Sequence, residues 1–301
     1  MRVYHSTVSR IADVLIYSFL ALLAFCCLAP VVHVIMASFS NPLLLEINRG
    51  LIVWPLGFTT KGYELAWNIP SIKTGYLNTL LIVVGGTTLN MIITSLAAYV
   101  VSQKNWWYAR FLMVLMTITM FFSGGLIPTY LLVNNTLKMG DTLFALIIPN
   151  MLNVYNMIVL RTGFMNVPES LHESARLDGA NDFIILSRII VPLSKATLAV
   201  ILLYYVVGHW NAWFDSMIYL RTRSKFPLQL VLREVIILES TTTTTAGANE
   251  VLGTLDFNDL NIYKKLIRYT AIVIATLPIL FFYPFIQKYF AQGVMIGSLK
   301  G

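Results

Sequence analysis

The sequence contains very few charged residues. Only 12% of its 301 residues are Asp, Glu, Lys or Arg, whereas a soluble domain carries roughly 25%. Hydrophobic residues make up 57% of the chain and the mean hydropathy is +0.73, which indicates that lipid is its main solvent. The formal net charge of +7 suits loops that lie beside anionic lipid. Aromatic residues interleaved with basic ones, which would favour nucleic acid as a partner, are missing.

Groups for catalysis or metal binding are also scarce. The two cysteines, Cys26 and Cys27, are adjacent in an apolar run, which argues against a disulfide and against a metal site. We find no His, Asp and Glu cluster with metal-ligand spacing, and no nucleophile beside a base. The phosphate loop G-x-x-x-x-G-K-[ST] is absent, so we expect no ATP hydrolysis by this chain. The sequence therefore predicts a membrane protein that is not an enzyme, with no catalytic residue, metal or cofactor of its own.

Six apolar runs are long enough to cross a bilayer. A spanning helix needs roughly 20 apolar residues, because the hydrocarbon layer is about 30 Å thick. We therefore predict an all-α membrane protein with six transmembrane helices in a single domain over residues 1–301. The predicted spans are about 14–39, 76–101, 111–133, 142–160, 196–220 and 269–286.

A long segment separates the fifth and sixth predicted spans, at about 221–268. Its "FPLQLVLREVIIL" run, 226–238, predicts a helix too short to cross, and residues 241–249, "TTTTTAGAN", predict a loop. An even number of spans places both termini on one side. Basic residues divide almost equally between the two sides, so the positive-inside rule does not decide the orientation.

A charged segment interrupts the apolar chain between the fourth and fifth predicted spans. From Pro168 to Asp178 the pattern predicts an amphipathic helix, with Leu171 and Ala175 on one stripe and Leu177 near it. On its polar side, Glu173 and Arg176 are three residues apart and can form an ion pair.

The same segment then predicts a turn and a second helix. Gly179 is suited to the left-handed conformation that ends a helix. Asn181 or Asp182 can cap a second helix at 183–191, which Pro192 interrupts. Two interpretations remain open: a solvated interfacial loop, or a docking element whose charges meet a partner and whose small Ala175 permits close approach.

Several polar residues lie inside the predicted spans, where they are costly and tend to face a cavity or another helix. Amide and aromatic side chains suit a sugar, because they match its hydroxyl edges and its C–H faces. The alternative is interhelical hydrogen bonding, a normal use of Asn and Thr in helix bundles. The candidate pathway residues are Asn90, Asn150, Asn153, Tyr155, Asn211 and Asp215.

The charged segment resembles the E-A-A-x3-G-x9-I-x-L-P signature of membrane subunits of bacterial ABC importers. The matching residues are Glu173, Ser174, Ala175, Gly179, Ile189, Val191 and Pro192. Ser174 stands for one alanine and Val191 for the leucine, and both changes preserve shape. The end of the chain, "GVMIGSLKG", is similar to the tail of maltose-type carbohydrate permeases.

The resemblance implies the ABC importer permease fold, with a cytoplasmic coupling helix within residues 161–195 and both termini cytoplasmic. It implies a subunit of an importer in the bacterial inner membrane, carrying a carbohydrate, with an oligosaccharide favoured. Implied partners are a second permease subunit, two ATPase subunits that bind ATP and Mg, and an extracellular or periplasmic solute-binding protein at residues 221–268. The implied coupling residues are Glu173, Ser174, Ala175, Arg176, Asp178, Gly179 and Pro192.

Two other functions remain open at this stage. A secondary transporter driven by an ion gradient usually places ionisable groups near the midplane of its spans, and only Asp215 is a candidate here. The second open function is that of an ABC importer permease that carries a solute other than a sugar. Uptake that stops on ATP depletion but survives an uncoupler would exclude the ion-gradient alternative.

Overall fold

The computed structural model describes residues 7–103, 106–240 and 257–298. These residues form helices joined by turns and none of them forms a strand, which confirms the predicted all-α class. The loop predicted at 241–249 lies outside the described residues. In chain order the helices are α1 (Thr7–Ser38), α2 (Pro42–Ile47), α3 (Lys61–Asn68), α4 (Pro70–Ser102), α5 (Trp107–Phe121), α6 (Leu126–Leu131, continued by a π-helical turn at Leu132–Thr136), α7 (Phe144–Ile147), α8 (Val154–Met165), α9 (Glu169–Leu177), α10 (Asp182–Ile185, continued by a π-helical turn at Leu186–Ile190), α11 (Val191–Leu193), α12 (Lys195–Trp210), α13 (Phe214–Tyr219), α14 (Leu228–Ser240) and α15 (Phe257–Ser298).

Three of the described helices are long and apolar enough to cross a membrane. They are Arg10–Ser38, Pro70–Ser102 and Tyr263–Phe282, which coincide with the first, second and sixth predicted runs. Two further pairs pass the same test only if each bent pair is one span: Trp107–Phe121 with Leu126–Thr136, bent by 111°, and Asp182–Leu193 with Lys195–Trp210, bent by 88°. The described residues thus give three to five spans, and the number six stays a prediction.

The fourth predicted run, 142–160, is not one continuous helix. It contains the four-residue α7, a turn, and the start of α8. Asn153 is the N-cap of α8, because its side-chain oxygen accepts a hydrogen bond from the Asn156 amide at 3.1 Å. The Asn90 side chain donates to the carbonyls of Asn150 and Met151 at 2.7 and 2.9 Å. A side chain 60 residues away therefore satisfies backbone groups that a continuous helix would bond internally.

The third and fifth predicted runs also contain breaks. Between α5 and α6 the chain passes through Gly125, whose φ of +85° is a conformation that other residues rarely adopt. In the fifth run α12 ends at Trp210, and a turn beginning at Asn211 leads to the short α13. Apolar length alone predicts where a chain can enter lipid, but it does not reveal such breaks.

The described residues form two compact units. The first comprises the described residues up to Pro70 together with those of Val235–Thr276, and the second comprises Ser71–Glu234 together with the described residues from Leu277 onward. In the first unit, α1 and α15 supply a core that includes Ala37 and Leu266. In the second unit a core of α4, α8, α10 and α12 residues includes Ala98, Leu160 and Ile201, all fully buried. The residues singled out by the sequence, from Asn90 to Asp215, belong to this second unit.

Candidate functional site

A polar cavity of about 290 Å³ lies where the break before α8 meets α12 and α13. Three of the predicted pathway residues, Asn150, Asn153 and Asp215, line it. The sequence places these residues up to 65 positions apart, and the fold brings them together. The other described residues in its wall are Leu146, Leu152, Asn156, Tyr204, Tyr205, Gly208, His209 and Ala212.

Hydrogen bonds fix the polar side chains of this cavity. The Asn150 side-chain amide donates to the Asp215 carboxylate at 3.1 Å. The Tyr205 hydroxyl accepts from the Asn153 backbone amide at 3.2 Å and bonds the Thr94 hydroxyl at 2.7 Å. Because Asn150, Asp215 and Tyr205 are each bonded to another element, the cavity presents amide, carboxylate and phenol groups in a defined arrangement.

Asn90, another predicted pathway residue, lies behind the cavity wall and is fully buried. It bonds the carbonyls of the break, and its side-chain oxygen lies 2.6 Å from Nε2 of His209. Gly86 permits this arrangement, because a Cβ there would lie 2.6 Å from the same His209 nitrogen. Asn90 therefore supports the wall from α4, which is the interhelical role weighed as the alternative to solute contact.

Tyr155 and Asn211 are not among the residues that line the cavity. Tyr155 is 54% exposed on α8, and Asn211 is an exposed residue at the end of α12. Conversely, Tyr205 and His209 line the cavity but are not among the six candidate pathway residues. They are four residues apart on α12 and so share one face of that helix, a spacing that would have identified them.

The charged segment has the predicted helix, glycine turn and second helix. Gly179 adopts a φ of +81° after α9. The turn closes through a hydrogen bond from the Ala180 amide to the Ala175 carbonyl at 2.9 Å. Asn181, rather than Asp182, caps α10, since its side-chain oxygen accepts from the Ile184 amide at 2.9 Å. Pro192 is exposed and lies in α11, where the helix bends toward α12.

One detail of the predicted amphipathic pattern is wrong, the position of Leu177. Leu177 is 90% exposed and not part of the buried stripe, because it lies two residues beyond Ala175 and so about 200° around the helix. Ala175 is 9% exposed and packs in the core of this chain with Ile185 and Phe164. Its small size permits close packing within the subunit. Glu173, Ser174 and Asp178 are exposed.

Arg176 pairs with Asp182 at 3.2 Å, not with Glu173 as the spacing suggests. The Tyr99 hydroxyl donates to the same Asp182 oxygen at 2.8 Å. This hydrogen bond, aided by Arg176, holds the pKa of the Asp182 carboxyl below its usual value. Partial burial and the nearby Arg176 charge lower the pKa of His172. Since Asp182 bonds both Arg176 and Tyr99 near the end of α4, the glycine turn is connected to that helix.

A polar hollow of about 300 Å³ lies beside this turn. Its rim carries Gln103, Glu169, His172, Glu173 and Arg176. In the part of the chain that the structure describes, no group of three or more His, Cys, Asp or Glu side chains is placed to hold a metal.

Comparison with known proteins identifies the family. Residues 90–296 match the family described as "Binding-protein-dependent transport system inner membrane component". The chain belongs to this family. It is thus an inner-membrane component of a binding-protein-dependent importer, as the signature in the charged segment indicated.

Known relatives match this chain along almost its whole length. The polygalacturonan/rhamnogalacturonan transport system permease protein YtcP of Bacillus subtilis (strain 168) is 38% identical over 293 residues, which cover 97% of this chain and 99% of the relative. The arabinooligosaccharides transport system permease protein AraQ of the same organism is 26% identical, with 98% and 97% covered. A chain in the crystal structure of a bacterial ABC transporter involved in the import of the acidic polysaccharide alginate is 28% identical, with a TM-score of 0.84; the match covers 96% of this chain and 99% of that chain.

Proposed function

We propose that the chain forms, with a second permease subunit, the membrane passage of an ATP-driven importer of an oligosaccharide. The relatives named above are permeases of carbohydrate transport systems, and the similar solved structure belongs to an alginate importer. ATP and Mg bind to separate ATPase subunits, and a solute-binding protein delivers the sugar.

The observation that carries this proposal is the cavity lined by Asn150, Asn153 and Asp215. Amide and carboxylate groups bind sugar hydroxyls, and the Tyr204 ring offers a face for C–H groups. The volume of about 290 Å³ lies just below the roughly 300–1,000 Å³ typical of small-molecule pockets. A longer oligosaccharide therefore needs a second wall, which the partner permease supplies.

The charge of the cavity indicates which part of the sugar it meets. Asp215 contributes a carboxylate, and none of the described lining residues is Lys or Arg. A sugar carboxylate here would meet a like charge without a counterion. We infer that hydroxyl groups of the solute face this chain, and that any uronate groups find cations on the partner subunits.

The charged segment is proposed as the coupling element. In this arrangement the chain has six spans, and both termini and residues 161–195 are cytoplasmic. Residues 221–268 face outward toward the solute-binding protein. Support comes from the exposed apolar side chains of the segment: Leu177 is 90% exposed and Phe183 is 71% exposed, beside the exposed Glu173. Exposed apolar surface rimmed by polar residues marks a protein or membrane contact, and the proposed orientation assigns this one to the ATPase.

The test is uptake by the complete importer in proteoliposomes, with ATPase, partner permease and binding protein present. Asn153→Ala and Asp215→Asn should each slow ATP-dependent oligosaccharide uptake by roughly 2–10-fold, the effect of losing one hydrogen bond. Asp215→Asn should impair neutral oligosaccharides more than uronate-containing ones. Asn68→Ala is the matched control, because Asn68 is exposed on α3 and is not among the residues that line the cavity.

Two results would overturn the proposal. Unchanged uptake in both cavity variants would exclude solute passage past this wall. Uptake that an uncoupler abolishes, while ATP depletion does not, would identify an ion-gradient transporter instead.

A further inference from the structure

Two arginines line a second cavity, separate from the polar cavity and next to the junction of α4, α5 and α8. This cavity has a volume of about 520 Å³ and includes Arg110, Arg161, Trp106 and Trp107 in its wall. None of its described lining residues is acidic. Its charge and its apolar surfaces are not used by the proposed transport mechanism, so they require their own explanation.

Arg161 is held in place by the end of α4. Its Nε donates to the Val101 carbonyl at 2.8 Å, and Val101 lies in the last turn of that helix. Among the hydrogen bonds of the described residues, none is made by the two terminal nitrogens of this guanidinium. Among the described ion pairs, none involves Arg161. Within the described part of the chain, the arginine is therefore positioned but not paired with an acid.

Arg110 lies in the first turn of α5 and is exposed. That turn has no acidic residue, and the side chain of the N-cap residue, Trp106, makes no capping hydrogen bond. The N-terminus of a helix carries partial positive charge and favours an anion. A cation added at this position strengthens the preference. Arg110 and Arg161 together provide a local positive potential that an anionic group would neutralise.

The surroundings favour a lipid as the source of that anion. Trp107 is 75% exposed, and tryptophans of this kind concentrate at the membrane interface. Beyond it, Phe111, Val114 and Phe121 are 61%, 55% and 78% exposed along α5. A phospholipid whose phosphate lies at the arginines would place its acyl chains along this apolar surface. A soluble anion would leave the surface uncovered.

We propose that the cavity binds the headgroup phosphate of an anionic phospholipid, with Arg110 and Arg161 as its ligands. The bound lipid bridges the end of α4 and the start of α5. The site does not depend on which solute the importer carries.

Native mass spectrometry of the intact importer in detergent tests this proposal, with short-chain phosphatidylglycerol and phosphatidylcholine as probes. We expect tighter binding of phosphatidylglycerol. Arg110→Gln should weaken it about five-fold, the size expected for one basic residue near an anionic lipid surface, and the Arg110→Gln/Arg161→Gln double variant should abolish the preference. Arg10→Gln is the matched control, since Arg10 is exposed near the start of the apolar α1.

Three outcomes would overturn the lipid site. The wild-type importer could bind both lipids equally, or Arg10→Gln could cause the same loss as Arg110→Gln. Displacement of phosphatidylglycerol by an equal concentration of glycerol 3-phosphate would assign the site to a soluble phosphate. An unchanged thermal unfolding midpoint in Arg110→Gln confirms that a loss of binding reflects the lost charge and not unfolding.

Discussion

At the scale of single residues, Asn90 shapes the polar cavity without lining it. Its side chain bonds two backbone carbonyls of the break before α8 and approaches His209 on α12. One buried amide thus satisfies polar groups from two other parts of the chain. Unsatisfied, these groups would be costly in a membrane.

Asn90→Leu should destabilise the subunit and impair transport. The two carbonyls lose their donor, and we expect the free energy of unfolding to fall by about 1–2 kcal/mol, the upper range for such bonds in membrane proteins. Thermal unfolding of the purified importer measures this loss. Asn68→Leu is the control, because Asn68 is exposed. Equal midpoints for the two variants would contradict the bracing role of Asn90.

Sequence reasoning found Asn90 but not its role, and the reason is physical. A local pattern shows that an amide lies inside an apolar run, but not that its partners are 60 residues further along. The Gly179 turn and the Asn181 cap were predictable, because both depend on interactions within a few residues. The predicted pairing of Glu173 with Arg176 failed because Asp182, across the turn, offers Arg176 a carboxylate that Tyr99 also binds.

At the scale of secondary-structure elements, the turn between α9 and α10 is the part whose geometry the sequence determines best. Gly179 has a φ of +81°, and an added Cβ would meet no atom within 4 Å. A substitution there is therefore limited by backbone conformation and not by space.

Gly179→Leu should uncouple ATP hydrolysis from transport while the protein still folds. A left-handed conformation costs a non-glycine residue roughly 1–2 kcal/mol, enough to shift the turn and the α9 helix that we propose docks on the ATPase. The measurement is the number of ATP molecules hydrolysed per solute imported, which should rise.

Gly179→Asn is the matched control for this experiment, because asparagine tolerates the left-handed region. It should retain most coupling. Gly85→Ala should leave coupling unchanged, because Gly85 is an exposed helical glycine and a Cβ added there would lie 4.0 Å from the Ile147 side chain, which is an ordinary contact. Normal coupling in Gly179→Leu would contradict the model of a rigid lever.

At the scale of the whole molecule, the sequence predicted the membrane environment and the helical class, and the structure adds interruptions. Three described helices are continuous across their apolar length, while two further pairs are bent by 111° and 88°. Hydropathy is insensitive to such breaks, since the residues on both sides remain apolar. Broken helices at membrane depth are tolerated where they line a cavity, and the break at Asn150 does so.

In the assembled importer, Leu177→Cys should crosslink to an ATPase subunit. The side chain is 90% exposed on the proposed coupling element. The native Cys26 and Cys27 are also exposed, so they are replaced by serine first. Phe58→Cys, at a position 72% exposed between α2 and α3, is the control and should not reach the ATPase. Crosslinking at position 58 but not at 177 would reverse the proposed orientation.

The hydrogen bond between Asn150 and Asp215 has a consequence for the history of this protein family. These two side chains face the cavity and also hold each other at 3.1 Å. A lineage that acquires a new sugar by replacing one of them leaves the other without its partner. The two positions are therefore expected to change jointly among descendants, as a correlated pair separated by 65 residues.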